Sequence, residues 1–109
     1  WTKDMARMIL ALIDGRVRTG IFHATNSGHT TWHGFATKLF DLSGWDPGRV
    51  HPAATKDFPR PAPRPPWSVL GHTNWSEHSL PLPRSWDEAL EGAWSDGLSV
   101  FSLPEQKSL

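Results

Sequence analysis

The sequence predicts an α/β fold in which a few short strands pack with three or four helices, and two observations lead to this prediction. An apolar run at 20–25 is followed, after a short loop, by an amphipathic helical pattern at 31–43. This order of strand, loop and helix is typical of an α/β sheet. Strand-like segments are scarce, so the chain taken alone would be classed as α+β and would leave sheet edges unpaired.

Length and composition exclude several classes of protein. A chain of 109 residues forms one domain at most. The absence of cysteine excludes disulfides, thiolate catalysis and cysteine zinc sites, and it suits the reducing cytoplasm. Eleven basic and eleven acidic residues balance, so no net field attracts nucleic acid or a membrane surface. We therefore expect neither of these partners.

Two elements are predicted before residue 30. Apolar residues at helical spacing define a helix that Thr2 caps and Gly15 ends. The residues on its apolar face are Met5, Met8, Ile9, Leu12 and Ile13. Asp4 falls off this face and is expected in solvent. The run 20–25 then has the length and flanking turn residues of a buried strand.

A second helix is predicted over residues 31–43. Thr30 or Thr31 can cap its start, and Gly44 can end it. Its apolar face would consist of Trp32, Phe35, Ala36, Leu39, Phe40 and Ser43.

The middle of the chain is predicted to be mostly irregular. Residues 49–53 are expected to be extended and 55–58 to form one helical turn, and Thr73 or Asn74 could cap another short turn. Residues 59–66 contain five prolines, which lack amide donors and fix φ, so a polyproline-like strap over the domain surface is expected. The Arg-x-x-Pro-x-x-Pro spacing of this segment also fits a peptide ligand for SH3-like grooves.

A last helix is predicted from a capping box, in which Ser85 is the N-cap and Glu88 lies three residues later. Its apolar face would consist of Trp86, Ala89, Leu90, Ala93 and Trp94. Residues 97–109 are expected to be a loosely ordered tail, which leaves 1–96 as the folded portion.

Few residues carry recognisable chemistry. His29 and His33 are four residues apart, but the glutamate of a metalloprotease helix is absent, so loop histidines are the simpler interpretation. The acidic residues at the start of the last helix are interpreted as stabilising its dipole rather than as an acid–base pair. Neither a glycine-rich phosphate loop nor a nucleophile elbow is present. We therefore predict no metal site, no cofactor site and no catalytic residue within this chain.

Four stretches of the chain carry a resemblance to a known family. They are Gly-Ile-Phe-His-Ala at 20–24, Thr-Trp-His-Gly-Phe-Ala at 31–36, Phe-Pro-Arg-Pro-Ala-Pro-Arg-Pro-Pro-Trp-Ser-Val-Leu at 58–70, and Trp-Asp-Glu-Ala-Leu at 86–90. The likeness runs from about Thr2 to Leu90 in one uninterrupted order, and the third stretch is the most specific. The chain resembles the C-terminal, substrate-binding part of dTDP-4-dehydrorhamnose reductases, which belong to the extended short-chain dehydrogenase/reductase superfamily.

This resemblance implies that the hydride chemistry lies elsewhere. A Rossmann-type reductase needs a glycine-rich turn for NADPH and a Tyr-x-x-x-Lys pair for proton transfer. The chain contains no tyrosine. The NADPH site and the catalytic acid would therefore belong to an N-terminal part that is absent here, and the chain alone is expected to be inactive.

The resemblance also implies a nucleotide-sugar, dTDP-4-dehydro-L-rhamnose, as the bound partner. A guanidinium fork on a proline-stiffened segment is pre-organised to bind a diphosphate. We predict this contact first for Arg64 and then for Arg60, with Trp67 and Ser68 shaping the pocket wall. The alternative for Arg64 is a structural arginine bonded to main-chain carbonyls.

Four functions remain open from the sequence. The favoured one is the nucleotide-sugar-binding portion of an NADPH-dependent dTDP-4-dehydrorhamnose reductase. A related fold could instead serve as a non-catalytic regulatory or interaction subunit, or in another nucleotide-sugar reductase or epimerase. The fourth function is that of a polyproline ligand, carried by residues 59–66.

Overall fold

The computed structural model describes residues 1–97, and this part of the chain is organised around helices. The α-helices are α1 (Thr2–Asp14), α2 (Trp32–Leu42), α3 (Thr73–Glu77) and α4 (Trp86–Ser95), with 3₁₀ turns at Pro47–Arg49 and Thr55–Asp57. Within these residues no β-strand forms, and an isolated parallel bridge joins Ser27 to Ser85. The few-stranded sheet expected from the sequence is therefore not present here.

The predicted strand at 20–25 is wrong as a paired strand, and the reason lies in its hydrogen bonds. Its backbone carbonyls are taken by side chains rather than by another strand. Asn74 Nδ2 donates to the Ile21 carbonyl at 2.6 Å, and Trp75 Nε1 donates to the His23 carbonyl at 3.1 Å. No second strand lies beside this segment in residues 1–97, so a ladder cannot form.

The helix predictions are largely confirmed. α2 begins after Thr31, whose hydroxyl accepts the Gly34 amide hydrogen bond at 3.0 Å. α4 begins after Ser85, whose amide and hydroxyl both donate to the Glu88 carboxylate, at 3.2 and 2.9 Å. These are the capping interactions that the sequence predicts. Thr2, however, is the first residue of α1 rather than its cap.

Two short elements in the middle of the chain follow the sequence only in part. The predicted helical turn is the 3₁₀ turn at Thr55–Asp57. The predicted turn near residue 73 is α3, although His72 rather than Thr73 or Asn74 stands at its N-cap position. Local composition therefore predicts where these elements lie, and their observed ends differ from the predicted ones by about one residue.

Trp75 on α3 is the centre of the small core, since its side chain is completely buried. Phe22 packs edge-on against it, with ring centroids 5.6 Å apart. The other buried apolar residues of the described chain are Met8, Ala89, Leu90 and Ala93. The three from α4 lie on the face predicted from the sequence, so α4 contributes most of this core.

α2 packs against α4 and against the turn at Pro47–Arg49. Lys38 of α2 forms an ion pair with Glu91 of α4 at 2.5 Å, and this contact raises the pKa of Lys38. At the C-terminal end of α2, the rings of Phe40 and Trp45 meet edge to face, with centroids 5.8 Å apart. The Arg49 guanidinium carbon lies 4.7 Å from the centroid of the Trp45 ring. Such aromatic and cation contacts orient the turn that follows α2.

Asp4 is buried, which contradicts its predicted place in solvent. Arg84 binds it with two parallel hydrogen bonds, from Nε at 2.9 Å and from Nη2 at 2.7 Å, and Asn26 Nδ2 adds a third at 3.0 Å. Gly92 makes room for this arginine, because a Cβ there would lie 2.9 Å from Arg84 Nη1. The cluster links α1, the segment before α2 and the start of α4.

The proline-rich segment, which the sequence predicts to be a strap over the domain surface, is exposed to solvent. Every residue from 51 to 71 is exposed. Its five prolines offer no amide donors, which removes the hydrogen bonds that would dock it. Of the tail expected from residue 97 onward, all but Gly97 lies outside the described residues.

We predict that Asp4→Asn lowers the free energy of unfolding by about 2 kcal/mol, because the Arg84 charge loses its ionised partner. Urea denaturation at pH 7 measures the change. Asp14→Asn is the matched control at an exposed position of α1 and should change stability by less than about 0.5 kcal/mol. Equal losses in both variants would contradict the assigned role of Asp4.

The same pair predicts a loss of stability in acid. The hydrogen bonds from Arg84, followed by that from Asn26, hold the pKa of Asp4 below its ordinary value. This stabilisation is fully present above the unfolded-state pKa, about 3.9, and is lost as the pH falls through the lower folded-state pKa. Urea denaturation between pH 6 and pH 2.5 should therefore show a weaker acid dependence for Asp4→Asn than for the natural chain.

Candidate functional site

A cavity of about 270 Å³ lies between the loop that precedes α2 and the segment that follows the prolines. We call it the Ser68 cavity. It is lined by Thr25, Asn26, Gly28, His29, Thr30, Ser68, Val69, Leu70 and Trp86. Loops supply all but one of these residues, and Trp86 comes from the first turn of α4. The cavity therefore joins three distant parts of the sequence.

Aromatic side chains surround the Ser68 cavity. The His29 ring at its wall lies 5.1 Å from the ring of Trp67, which is 64% exposed. On the other side, the ring centroids of Trp86 and Phe35 are 6.2 Å apart. The Phe35 ring in turn meets the Trp32 ring edge-on, with centroids 6.5 Å apart. Flat ring faces of this kind bind the apolar faces of ring-shaped ligands.

Gly28 allows the loop to approach Trp86. Its φ of +75° lies in the left-handed region, and a Cβ there would lie 3.3 Å from Trp86 Cδ1. Any larger residue would be strained at this position and would crowd the indole. The glycine therefore sets how closely the loop of the Ser68 cavity lies against α4.

Polar groups in the cavity fall into two sets. Asn26 is fixed, because its amide nitrogen donates to Asp4 and to the Arg84 carbonyl, at 3.0 and 3.3 Å. In the described part of the chain, the Thr30 and Ser68 hydroxyls form no hydrogen bond. These hydroxyls can donate to a ligand and accept from it.

The four residues predicted to bind substrate do not all meet. Ser68 lines the cavity, and Trp67 contacts His29 at its wall. Arg60 and Arg64 are exposed on the proline-rich segment and form no ion pair within residues 1–97. The structure thus brings together one end of the predicted site and leaves its cationic end in solvent.

Sequence reasoning missed His29, Gly28 and Trp86 as members of the site. The sequence indicates His29 only as a candidate metal ligand and Trp86 only as a residue on the apolar face of the last helix. The available signal was the turn cluster before α2, because loop residues at the end of a strand-like run often line a binding site. Ser68 lies about forty residues from Gly28 and His29 and 18 residues from Trp86, and no local pattern reveals contacts over such separations.

Four histidines of the described chain lie within hydrogen-bonding distance of a backbone carbonyl. His72 Nε2 lies 3.0 Å from the Thr25 carbonyl, and His33 Nε2 lies 3.0 Å from the Val50 carbonyl. Among residues 1–97, no group of three or more histidine, aspartate or glutamate side chains is placed to hold a metal ion. His29 and His33, four residues apart in sequence, thus have separate contacts.

Comparison with known proteins identifies the family of the chain. A family model described as "RmlD substrate binding domain" matches residues 1–98. The chain belongs to this family. No solved structure matches it significantly.

Curated relatives of this RmlD substrate-binding domain are bacterial proteins. It is 43% identical over 107 residues to a probable dTDP-4,6-dihydroxy-2-methyloxan-3-one 4-ketoreductase of Streptomyces antibioticus, covering 98% of this chain and 36% of that protein. It is 43% identical to the dTDP-4-dehydrorhamnose reductase of Streptomyces griseus, covering 83% of this chain and 31% of the relative. It is 40% identical to the dTDP-4-dehydrorhamnose reductase of Mycobacterium tuberculosis (strain CDC 1551 / Oshkosh), covering 85% of this chain and 31% of the relative.

The chain therefore spans about a third of the length of these relatives. The resemblance stated from four sequence stretches is confirmed at the level of the family. In the described residues, none of the helices is both long and apolar enough to span a bilayer.

We predict that His29→Ala speeds chymotryptic cleavage after Trp67 by about fivefold, because an aromatic pair contributes about 0.5–1.5 kcal/mol to holding the segment in place. Cleavage is followed by mass spectrometry under native conditions. His51→Ala, at an exposed position with no aromatic contact in the described chain, is the control and should leave the rate unchanged. Equal rates for both variants would show that the His29–Trp67 contact does not restrain this segment.

Proposed function

We propose that residues 1–96 are the nucleotide-sugar-binding portion of an NADPH-dependent reductase, and that the bound sugar is dTDP-4-dehydro-L-rhamnose. The observation that carries this proposal is the family match over residues 1–98, together with relatives named as dTDP-sugar reductases. In this proposal the chain binds and orients the substrate. It holds no group that transfers hydride.

The Ser68 cavity supports the proposal through its chemistry. A ring-shaped ligand can lie against His29 and Trp86, while Ser68 and Thr30 offer hydroxyls to its polar edge. Apolar walls with a few polar groups are the usual composition of a small-molecule site. A pyranose or a thymine ring has both features, a flat face and polar substituents.

Arg64 and Arg60 are assigned to the diphosphate. Arg64 precedes Trp67 by three residues, so their backbones are at most about 10 Å apart along the chain. A ligand whose ring lies in the Ser68 cavity can therefore place its charged group beside this arginine. A guanidinium binds such an anion with two parallel hydrogen bonds, which a lysine cannot reproduce.

NADPH is assigned to the two thirds of a reductase that this chain does not span. The residues present do not fit the cofactor, because the chain has neither the glycine-rich turn that binds a pyrophosphate nor a tyrosine for proton transfer. We place the reaction in the cytoplasm, which agrees with the absence of cysteine.

A second candidate is a reductase for a different dTDP-4-keto sugar. Two relatives carry such names, the Streptomyces antibioticus 4-ketoreductase and a dTDP-4-keto-6-deoxy-D-glucose reductase of Streptomyces niveus that is 40% identical. Both candidates share the dTDP group. The roles of Arg64 and Arg60 are therefore the same in each, and only the contacts to the sugar would differ.

We predict that the chain binds dTDP and that Arg64→Ala weakens this binding about tenfold, because hydrogen bonds between charged groups contribute about 1.5–3 kcal/mol. Isothermal titration at low ionic strength measures the affinity. Arg60→Ala should have a smaller effect. Lys56→Ala is the matched control, since it removes an equally exposed cation four residues before Arg60.

Two results would contradict the proposal. Equal losses from Arg64→Ala and Lys56→Ala would show attraction by general charge rather than a diphosphate site. The second test is a chimera in which this chain replaces the matching region of the Streptomyces griseus reductase. If the folded chimera does not oxidise NADPH with dTDP-4-dehydro-L-rhamnose, a regulatory or interaction role is favoured instead.

A further inference from the structure

Another cavity of the described chain lies between α1 and the segment that precedes α4. Its volume is about 300 Å³, and we call it the Leu82 cavity. It is lined by Asp4, Arg7, Met8, Ala11, Pro81, Leu82, Pro83 and Arg84. None of these residues lines the Ser68 cavity, so the two cavities are separate.

The walls of the Leu82 cavity are mostly apolar. On one side, Met8 and Ala11 lie three residues apart on the same face of α1. On the other side, Leu82 is 60% exposed and stands between Pro81 and Pro83. These prolines fix φ and have no amide hydrogen to donate, so this wall is stiff and poor in polar groups. A ligand that fills the space between the walls must therefore have an apolar body.

The charged groups of the cavity leave one positive charge in excess. Arg84 binds the Asp4 carboxylate with two hydrogen bonds, so this pair is neutral as a unit. Arg7 Nη1 lies 3.5 Å from the same carboxylate, and 63% of the Arg7 side chain is exposed. Within residues 1–97, Arg7 has no other ion pair and its side chain forms no hydrogen bond. Its guanidinium can therefore bind an anion that enters the cavity.

We infer that the Leu82 cavity binds a small carboxylate with an apolar body. The carboxylate of this ligand pairs with the Arg7 guanidinium, whose parallel donors match its two oxygens. The apolar body lies against Met8, Ala11 and Leu82, which removes their exposed surface from water. This site goes beyond the proposed function, because it uses none of the residues assigned to the nucleotide-sugar.

Charge and size favour this class of ligand over two others. A phosphomonoester carries a charge of about −1.5 to −2 at neutral pH, whereas the cavity has a single positive charge in excess. The cavity volume is also at the lower end of small-molecule sites, which span about 300–1,000 Å³. It therefore suits a monoanion with a short carbon chain better than a long lipid.

Titration with hexanoate tests the site directly. Amide shifts of the ¹⁵N-labelled chain at pH 7 should saturate at Arg7 and Leu82, with a Kd on the order of 1 mM. 1-Hexanol has the same carbon chain without the charge and should bind at least about fivefold more weakly. Equal affinities for the acid and the alcohol would contradict the inference. So would the absence of saturable shifts at these two amides.

Arg7→Ala tests the charged half of the site. It should weaken hexanoate binding about tenfold and leave 1-hexanol binding unchanged, because only the acid uses the guanidinium. Arg18→Ala is the matched control, since Arg18 is an exposed arginine with no ion pair in the described chain. It should leave both affinities unchanged. An equal loss from both variants would mean general attraction of anions and would overturn the inference.

Leu82→Ala tests the apolar half. It should weaken the binding of hexanoate and of 1-hexanol alike, by about fivefold, because both lose the same wall. Leu10→Ala is the matched control, since Leu10 is similarly exposed, at 57% against 60%, and does not line the cavity. Both leucines are largely in solvent, so neither change should prevent folding. Unchanged hexanoate binding in Leu82→Ala would rule out this wall as the ligand's contact.

A competition experiment separates this site from the nucleotide-sugar site. Saturating dTDP should leave the hexanoate Kd unchanged within about twofold, because the two cavities share no lining residue. Displacement of hexanoate by dTDP, with hexanoate shifts at Ser68 and Thr30, would place hexanoate in the Ser68 cavity. That result would refute the inference and leave the proposed function intact.

Discussion

The ion pair between Asp4 and Arg84 is the interaction on which the arrangement of this domain depends. Eighty residues separate the partners, and their two parallel hydrogen bonds join the first helix to the start of the last one. Asn26 binds the same carboxylate, so the loop that leads to the Ser68 cavity is anchored at the same point. With so few apolar side chains buried, a charged cluster rather than a large core fixes how these elements meet.

The sequence predicted local structure well wherever the signal was local. Thr31 and the Ser85–Glu88 pair begin their helices as expected, because a cap depends on residues within one turn of it. The strand at 20–25 failed for the opposite reason. Its run of residues has the composition of a strand, but a ladder needs a partner, and side chains of α3 bond to two of its carbonyls instead. Asp4 was misplaced because its partner lies eighty residues away.

The candidate site shows the same division. The resemblance predicts Ser68 and Trp67 as members of a binding segment, and both lie at the cavity. His29 and Trp86 escaped notice because their shared wall exists only after the chain folds. The arginines of the proline-rich segment are exposed, so the present contacts do not assign them a structural role. The assignment of these arginines to a diphosphate therefore rests on the family resemblance and not on their contacts in the structure.

The proline-rich segment has a consequence for self-association. An exposed stretch of backbone ordinarily risks pairing with the backbone of a neighbouring molecule. Five of the eight residues at 59–66 are prolines and have no hydrogen to donate. The segment can therefore stay solvated in a concentrated solution without serving as a template for another chain.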